Sequence, residues 1–298
     1  MKNTKLIAIL GPSASGKSAL AIKIAKTIDA EIFSLDSLSI YKEIDIASAK
    51  PKKADLEAIR HYAIDELNIT EPNNAIIFKN LLENAINFTK KQTLLIVGGS
   101  SFYLKSILEG LSPIPDISPK EKEKINTQIN SIPNPYSFLL QIDPLYSKSI
   151  KENDTYRIHK ALEIFFSTQT KPSEYFVTHP KTPFPCPVKL YEIKTDRENL
   201  RSKITQRTQQ MIEEGLIEEI TTLLQKYPKN SQPFKAIGVK ECISYLEGHI
   251  TYEELTPLIS THTAQLAKRQ STFNKTQFQN ISQLPPEEIY SNILNSLS

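Results

Sequence analysis

A chain of 298 residues, 39% hydrophobic and 23% charged, has the make-up of an ordinary globular protein with room for one large domain or two smaller ones. Its formal net charge of +3 argues against a molecule that holds nucleic acid by bulk charge, so any basic footprint is local. Cys186 and Cys242 stand far apart with no Cys or His at ligand spacing, which argues against a disulfide framework and a structural zinc site.

In chain order, Lys2 and Lys5 precede an apolar run, Leu6–Leu10, that is too short for a signal segment. No later stretch reaches membrane-spanning length, so a cytoplasmic protein without membrane contact is expected. Leu6–Leu10 instead reads as a strand buried on both faces. Leu20, Ile24 and Ile28 give helical spacing over Lys17–Ile28. A second strand, Glu31–Leu35, ends at Asp36. Tyr62–Ile64 reads as a further short strand, Ala75–Lys90 as a helix and Thr93–Val97 as a strand. This βαβ rhythm predicts an α/β fold with a parallel sheet covered by helices. Prolines 113, 115 and 119 cluster at one place and prolines 180, 183, 185 and 187 at another, marking linkers. The stretch between them is mostly helical. Val188–Ile193 then returns as a strand, followed by helices over Asn199–Gly215, Ile217–Lys226, Lys235–Gly248 and Tyr252–Thr272. The expected organisation is a discontinuous core, 1–114 with 188–298, carrying a helical insertion at 115–187.

The strongest motif is Gly11-Pro12-Ser13-Ala14-Ser15-Gly16-Lys17-Ser18, a phosphate-loop pattern placed between an apolar strand and a helix. Glycine lets the backbone curl so that N–H groups face an anion. The helix terminus adds a dipole, Lys17 a full charge and Ser18 a hydroxyl able to hold Mg2+. Asp36 ends the second strand at the same sheet edge. On its residue type alone it is first a helix cap or an outer-shell Mg2+ ligand, and second a base. Gly98-Gly99-Ser100 ends a third strand there, and four of the eight glycines fall in these two loops. Tyr156-Arg157-Ile158-His159-Lys160, behind Asp154, combines aromatic and basic groups that suit phosphate contacts and stacking on an unpaired base. An ordinary helix would carry the same residues. Lys203 and Arg207, one helical turn apart, could clamp an anion or face solvent. Ala267-Lys268-Arg269-Gln270 closes a helix where its dipole favours cations. His61, His179, His249 and His262 read as structural or surface groups.

Taken together these blocks resemble the tRNA dimethylallyltransferase family, bacterial type, over essentially the whole chain. The matching runs are GPSASGKS at 11–18, Asp36-Ser37 with Tyr41, DIASAKP at 45–51, VGGSSFY at 97–103 and IDP at 142–144. NDTYRIHKALEIF at 153–165, Glu214-Gly215-Leu216, AIGVKE at 236–241 and AKRQSTF at 267–273 complete them. The resemblance implies a P-loop NTPase-like core whose helical insertion grips the anticodon stem-loop. It implies transfer of a dimethylallyl group from dimethylallyl diphosphate to N6 of the adenosine 3′ of the anticodon. Residues 11–18 would hold the diphosphate with Mg2+ at Ser18, and Asp36 would take the amine proton beside Ser100. Ser37, Leu38, Ser39, Lys122 and Tyr156–Lys160 would contact tRNA, with Asp36 and Ser100 also touching it. Lys203, Arg207 and Arg269 would help hold the diphosphate, and a monomer is expected.

The chain departs from the family pattern at Ser39, where many relatives carry a longer amide. It departs also at Ser100-Ser101-Phe102, in place of a Thr-Gly-Leu type run, and at Phe273-Asn274, where Trp-Phe is usual. The rival readings are a P-loop small-molecule kinase, a prenyltransferase of free adenine nucleotides and an NTP-switched binding module. The first two have no use for a helical insertion with an Arg-His-Lys edge, and the switch would need a water-positioning residue and an ATP-dependent change in partner affinity, to neither of which the sequence points.

Overall fold

The computed structural model describes residues 4–297. The described chain divides into two compact units, one formed by residues up to Leu108 together with Pro185 onward, the other by Glu109–Phe184. These seams lie a few residues before the limits of 115 and 187 read from the prolines.

The first unit opens with β1 (Lys5–Leu10), α1 (Lys17–Ile28), β2 (Glu31–Leu35), α2 (Lys53–Ala58), β3 (His61–Tyr62), α3 (Ala75–Phe88), β4 (Thr93–Gly98) and α4 (Ser101–Glu109). The second unit holds α5 (Pro119–Asn130), α6 (Pro135–Ile142), α7 (Pro144–Ser147), α8 (Thr155–Thr168) and α9 (Pro172–Thr178). The chain then completes the first unit with β5 (Val188–Ile193), α10 (Arg197–Glu213), α11 (Leu216–Lys226), α12 (Val239–Leu246), α13 (Tyr252–Gln277), β6 (Ile281–Leu284) and α14 (Pro286–Asn295).

The first unit is an α/β structure around a six-stranded sheet in the order β3-β2-β4-β1-β5-β6, with every pairing parallel. The central strands β1 and β4 are buried along almost their whole length, as strands covered on both faces require. Ile24 and Ala25 of α1 pack with Ile289 and Ile293 of α14 against Ile7, Ile9 and Leu95 of the sheet. Phe78 of α3 meets Phe33 of β2 edge to face, with ring centroids 6.3 Å apart.

Several boundaries differ from the sequence reading. The third strand is His61–Tyr62 because Ala63 turns to φ 60°, which no strand tolerates. The helix expected over Lys235–Gly248 is a 3-10 turn at Gln232–Lys235 and then α12, separated by Gly238 at φ 93°. The last long helix runs to Gln277 rather than Thr272. Four elements had no expectation: α2, α4, α14 and the edge strand β6, whose Ile281-Ser282-Gln283-Leu284 carries too little apolar periodicity to stand out.

In the second unit, Ile125 and Ile129 of α5, Leu139 of α6, and Ile158, Ala161 and Leu162 of α8 form a separate core. Buried Asp143, from the Ile-Asp-Pro run, accepts backbone N–H groups from Tyr146 at 3.0 Å and Ser173 at 2.7 Å, tying α7 to α9. No helix among the described residues is long and apolar enough to cross a membrane.

The register places Gly98 opposite both Leu10 and Leu35. A Cβ at Gly98 would collide with the Leu35 carbonyl. Gly98→Ala should therefore force β2 and β4 apart and destabilise the protein by roughly 1–3 kcal/mol, measured as a lowered midpoint in urea unfolding.

Candidate functional site

The loop between β1 and α1 follows from its glycine and its lysine. Gly16 caps α1 in the left-handed region at φ 89°, a conformation open to glycine at little cost. Ser15 N–H donates to Pro12 O at 3.2 Å and closes the turn. Lys17 Nζ folds back to donate to Pro12 O at 2.9 Å. The buried Ser15 hydroxyl has no protein partner, which leaves it available to a bound anion. Burial pushes the Lys17 amine down to about 8, helped by the positive charge of Arg207 and opposed by Asp36. Burial also lowers Arg207, again against the pull of Asp36. Lys17, Asp36 and Arg207 thus form one electrostatic group.

Asp36 follows β2 and shapes its own loop. Its Oδ1 accepts N–H bonds from Leu38 at 2.9 Å and Ser39 at 3.1 Å, an arrangement natural to a short carboxylate in a turn. Neither bond involves Oδ2. The loop after β4 is joined to this one twice. Ser100 N–H donates to Leu35 O at 3.3 Å, and Ser37 N–H donates to Ser100 Oγ at 3.2 Å. Because Ser100 Oγ accepts there, its own proton remains to be donated. Ser39 is buried and shares a hydrogen bond with Ser34 Oγ at 3.0 Å.

These loops border a cavity of about 270 Å3 whose lining includes Ser13, Ala14, Lys17, Ser18, Asp36–Ser39, Gly98–Ser100, Arg207 and Gln270. Asp36 is the only carboxylate among the described residues that line it. Helical spacing decides which residues of α10 and α13 take part. On α10, Ile204, Arg207, Thr208 and Met211 share the facing stripe; on α13, Ile259, Thr263, Leu266 and Gln270 do. Lys203 and Arg269 lie off those stripes, are exposed and do not line the cavity. They therefore do not join the Lys17–Arg207 cluster.

Residues 47–51 form another wall. They are held from outside by Glu219 of α11, whose carboxylate accepts N–H bonds from Asp45 and Ile46 at 2.8 Å and from Ala47 at 2.9 Å. Lys50 is spoken for by Tyr41 O at 2.8 Å, Asp45 at 2.7 Å and Asp65 at 2.5 Å. His61 also lines the cavity. Its Nδ1 donates to Ile59 O at 2.8 Å, and burial lowers its pKa. His262 is structural, bonded to buried Glu241 at 2.6 Å.

In the second unit the expected contact run divides by helical face. Tyr156 is 70% exposed and Arg157 is exposed beside Asp154. Ile158 is 4% exposed and packs in the core, so its side chain offers nothing to a partner. Lys160 bonds to the buried Glu163 at 2.7 Å, with His159 at 3.9 Å from the same oxygen. Lys122 is exposed on α5.

Gln270, Glu219 and His61 carry geometry that the sequence reading assigned elsewhere or not at all. Continuing the Ile259–Leu266 stripe by one turn would have reached Gln270 rather than Arg269. Glu219 and His61 left no comparable signal, since each depends on a contact distant in sequence. No group of three or more His, Cys, Asp or Glu able to hold a metal exists among the described residues. Mg2+ bound mainly through substrate phosphates needs no such group, and Ser18 and Asp36 on one cavity are a donor set compatible with it.

Comparison with known proteins agrees over the whole chain. Residues 39–277 match the family model described as IPP transferase. A tRNA dimethylallyltransferase of Helicobacter pylori strain J99 is 59% identical over 93% of this chain and 89% of its own length. Another, from Wolinella succinogenes, is 48% identical over 99% of both chains. Among solved structures, a tRNA isopentenylpyrophosphate transferase of Staphylococcus epidermidis is similar at TM-score 0.70 and 29% identity, covering 99% of this chain and 98% of its own. A eukaryotic dimethylallyltransferase acting on tRNA is similar at TM-score 0.81 and 25% identity, over 95% of this chain and 74% of its own.

The lowered Lys17 sets a pH dependence. Below pH 8 the amine is charged before any anion arrives. Above it, an anion must draw a proton back onto Lys17, and affinity falls as pH rises. Pyrophosphate affinity of the wild type, divided by that of Lys17→Arg at each pH, should be flat below pH 8 and then fall by about tenfold per unit, as followed by calorimetric titration.

Proposed function

The chain belongs to the IPP transferase family, and from that membership we propose that its cavity holds dimethylallyl diphosphate by its phosphates and a tRNA adenosine by its exocyclic amine. The protein is an enzyme that prenylates tRNA. The finer reading is transfer of the dimethylallyl group to N6 of the adenosine 3′ of the anticodon. One observation supports it above others: a single carboxylate, Asp36, shares the cavity with Lys17, Ser18 and Arg207.

Each group then has a role set by its surroundings. The backbone N–H groups of residues 11–18, with Lys17 and Arg207, receive the diphosphate and stabilise the charge that grows as the allylic C–O bond breaks. Mg2+, when bound at Ser18, would add further neutralisation of that leaving group. The adenine amine is a weak nucleophile because its lone pair is delocalised into the ring. As N6 bonds to the allylic carbon, its proton passes to Asp36 Oδ2, since Oδ1 already accepts two N–H bonds. Ser100 would donate its hydroxyl proton to the adenine, and Ser37, Leu38 and Ser39 would form the wall against which the adenine is read. The adenosine would enter flipped out of the loop stack, since only an extruded base can reach into a cavity.

The insertion is proposed to hold the anticodon stem-loop through Tyr156, Arg157 and Lys122, which are exposed. Lys160 contributes field from beside Glu163 rather than as a free cation, with the His159 ring near the same carboxylate. One chain carries every group named, so the working unit is proposed as a monomer acting in the cytoplasm.

Asp36→Asn can still accept the Leu38 and Ser39 N–H bonds, so the loop should persist while the base is lost. Single-turnover transfer should fall by about 10²–10⁴-fold, with donor and tRNA dissociation constants little changed. Restoration of the rate by excess Mg2+ would instead make Asp36 a metal support. Separately, Arg157→Ala should weaken tRNA binding and flatten its log–log salt dependence by about one unit, leaving pyrophosphate affinity intact. An unaltered salt slope in a filter-binding titration would remove Arg157 from the RNA contact.

A further inference from the structure

Among the described residues, Gln270 is the side chain that bonds both to the phosphate loop and to the loop after β4. Its Oε1 accepts the Ser13 N–H at 3.3 Å, and its Nε2 donates to Gly99 O at 2.9 Å. The approach to Gly99 is close enough that a Cβ there would lie 2.5 Å from Nε2. Beyond Gly99 the connection continues, for Ser100 Oγ takes the Ser37 N–H at 3.2 Å and the Ser100 N–H reaches Leu35 O at 3.3 Å. The loop that carries Asp36 is thereby linked through Ser100, Gly99 and Gln270 to the loop that receives the diphosphate. Gln270 also lines the cavity, and it stands on α13, at 26 residues the longest helix among the described residues.

We propose that Gln270 is a positioning residue, which fixes the distance between the diphosphate cradle and the Asp36–Ser100 edge where the amine is deprotonated. This rests on the prenyl-transfer reading above. The two halves of the reaction, departure of the diphosphate and loss of the amine proton, occur at opposite loops. The phosphate loop curls on Gly11 and Gly16, whereas the Asp36 segment, 36–52, holds no glycine; strand pairing sets their coarse separation, and the two Gln270 bonds refine it. An amide suits the task because it supplies one acceptor and one donor in a plane of fixed length. A cation such as the neighbouring Arg269 could donate but could not accept from Ser13.

The test is single-turnover transfer from dimethylallyl diphosphate to tRNA, with pyrophosphate and tRNA dissociation constants measured on the same preparations. Gln270→Met keeps the length and removes both hydrogen bonds; it should slow transfer by about 10- to 100-fold, as a small misplacement of reacting groups does. Both dissociation constants should stay within about threefold of the wild type, the pattern of a loss confined to the transition state. Gln270→Glu gives a second readout that filling space alone would not move. Its carboxylate can accept from Ser13 but cannot donate to Gly99, whereas its protonated form can do both. The ratio of its rate to the wild-type rate should therefore rise on acidification, and this variant decides the matter if the methionine variant melts early. An unchanged rate in Gln270→Met, or a pH-independent ratio in Gln270→Glu, overturns the proposal. A fall in rate matched by an equal loss of pyrophosphate affinity overturns it too, making Gln270 a donor-binding group. Failure of the wild type to prenylate tRNA in the same assay would count against the parent reading instead.

Discussion

The constraint from which the site follows is the level at which three parallel strands stop. Gly98 at the end of β4 pairs with Leu10 at the end of β1 and with Leu35 at the end of β2. Three loops therefore leave the sheet side by side: the phosphate loop, the Asp36 turn and the Gly99-Ser100 turn. A one-residue slip in either pairing would carry one loop about 3.3 Å along its neighbour and turn its side chains to the other face. Gly98 keeps the ends together because the Leu35 carbonyl occupies the space a side chain would need. The Ser100 N–H then reaches that same carbonyl. Backbone pairing sets the coarse geometry, and the side chains of Ser100 and Gln270 refine it.

What could be read from the sequence was whatever local order determines. The phosphate loop declares itself through Gly16 and Lys17, and the buried strands through unbroken apolar runs. Asp36 was found because it directly follows a strand, whereas the role of Ser100 came from the family resemblance. What could not be read depends on faces and distant partners. Arg269 and Gln270 are adjacent in sequence, yet about 100° of helical rotation separates an exposed cation from a residue on the cavity wall. Ile158 sits amid aromatic and basic neighbours, yet its position on α8 points it into the core. Glu219 acts on a loop far away in sequence, where three N–H groups converge on one carboxylate. Its location in α11 carries no trace of that role. Asn274 is similar: it replaces an aromatic position of the family pattern and donates to buried Glu192 at 2.9 Å. The departure is thus a buried polar pairing rather than an altered cavity wall.

The insertion shows how one helix serves two purposes by face. Glu163 is 3% exposed, and a lone carboxylate there would be costly. Lys160 pairs with it directly, so part of the positive charge on α8 is committed to folding. Tyr156 and Arg157, one turn earlier, are not needed by the core and stand exposed. The first turn of α8 is consequently the portion that chemistry leaves for a partner. Asp154, which caps the helix by accepting the Arg157 N–H at 3.1 Å, also lies 3.3 Å from the Arg157 guanidinium and limits its reach.

Charge in the cavity is arranged for a substrate that changes its own. Lys50 is neutralised by Asp45 and Asp65, which leaves Lys17 and Arg207 facing Asp36. Two cations against one carboxylate is an unfavourable balance in a partly dry site; burial is the main cause of the depressed Lys17 amine, and the Arg207 charge adds to it. A diphosphate relieves that imbalance on binding, but relief in the ground state alone would raise affinity without raising rate. On the proposed mechanism, the reaction supplies the difference. When the allylic C–O bond breaks, negative charge accumulates on the departing oxygen near Lys17 and Arg207. When the amine proton reaches Asp36, the carboxylate that had opposed those cations is neutralised. Proton transfer therefore makes the protein side of the cavity more positive as the diphosphate becomes more negative. The interaction of Lys17 and Arg207 with the leaving group is then strongest along the path over the barrier, which is where catalysis requires it.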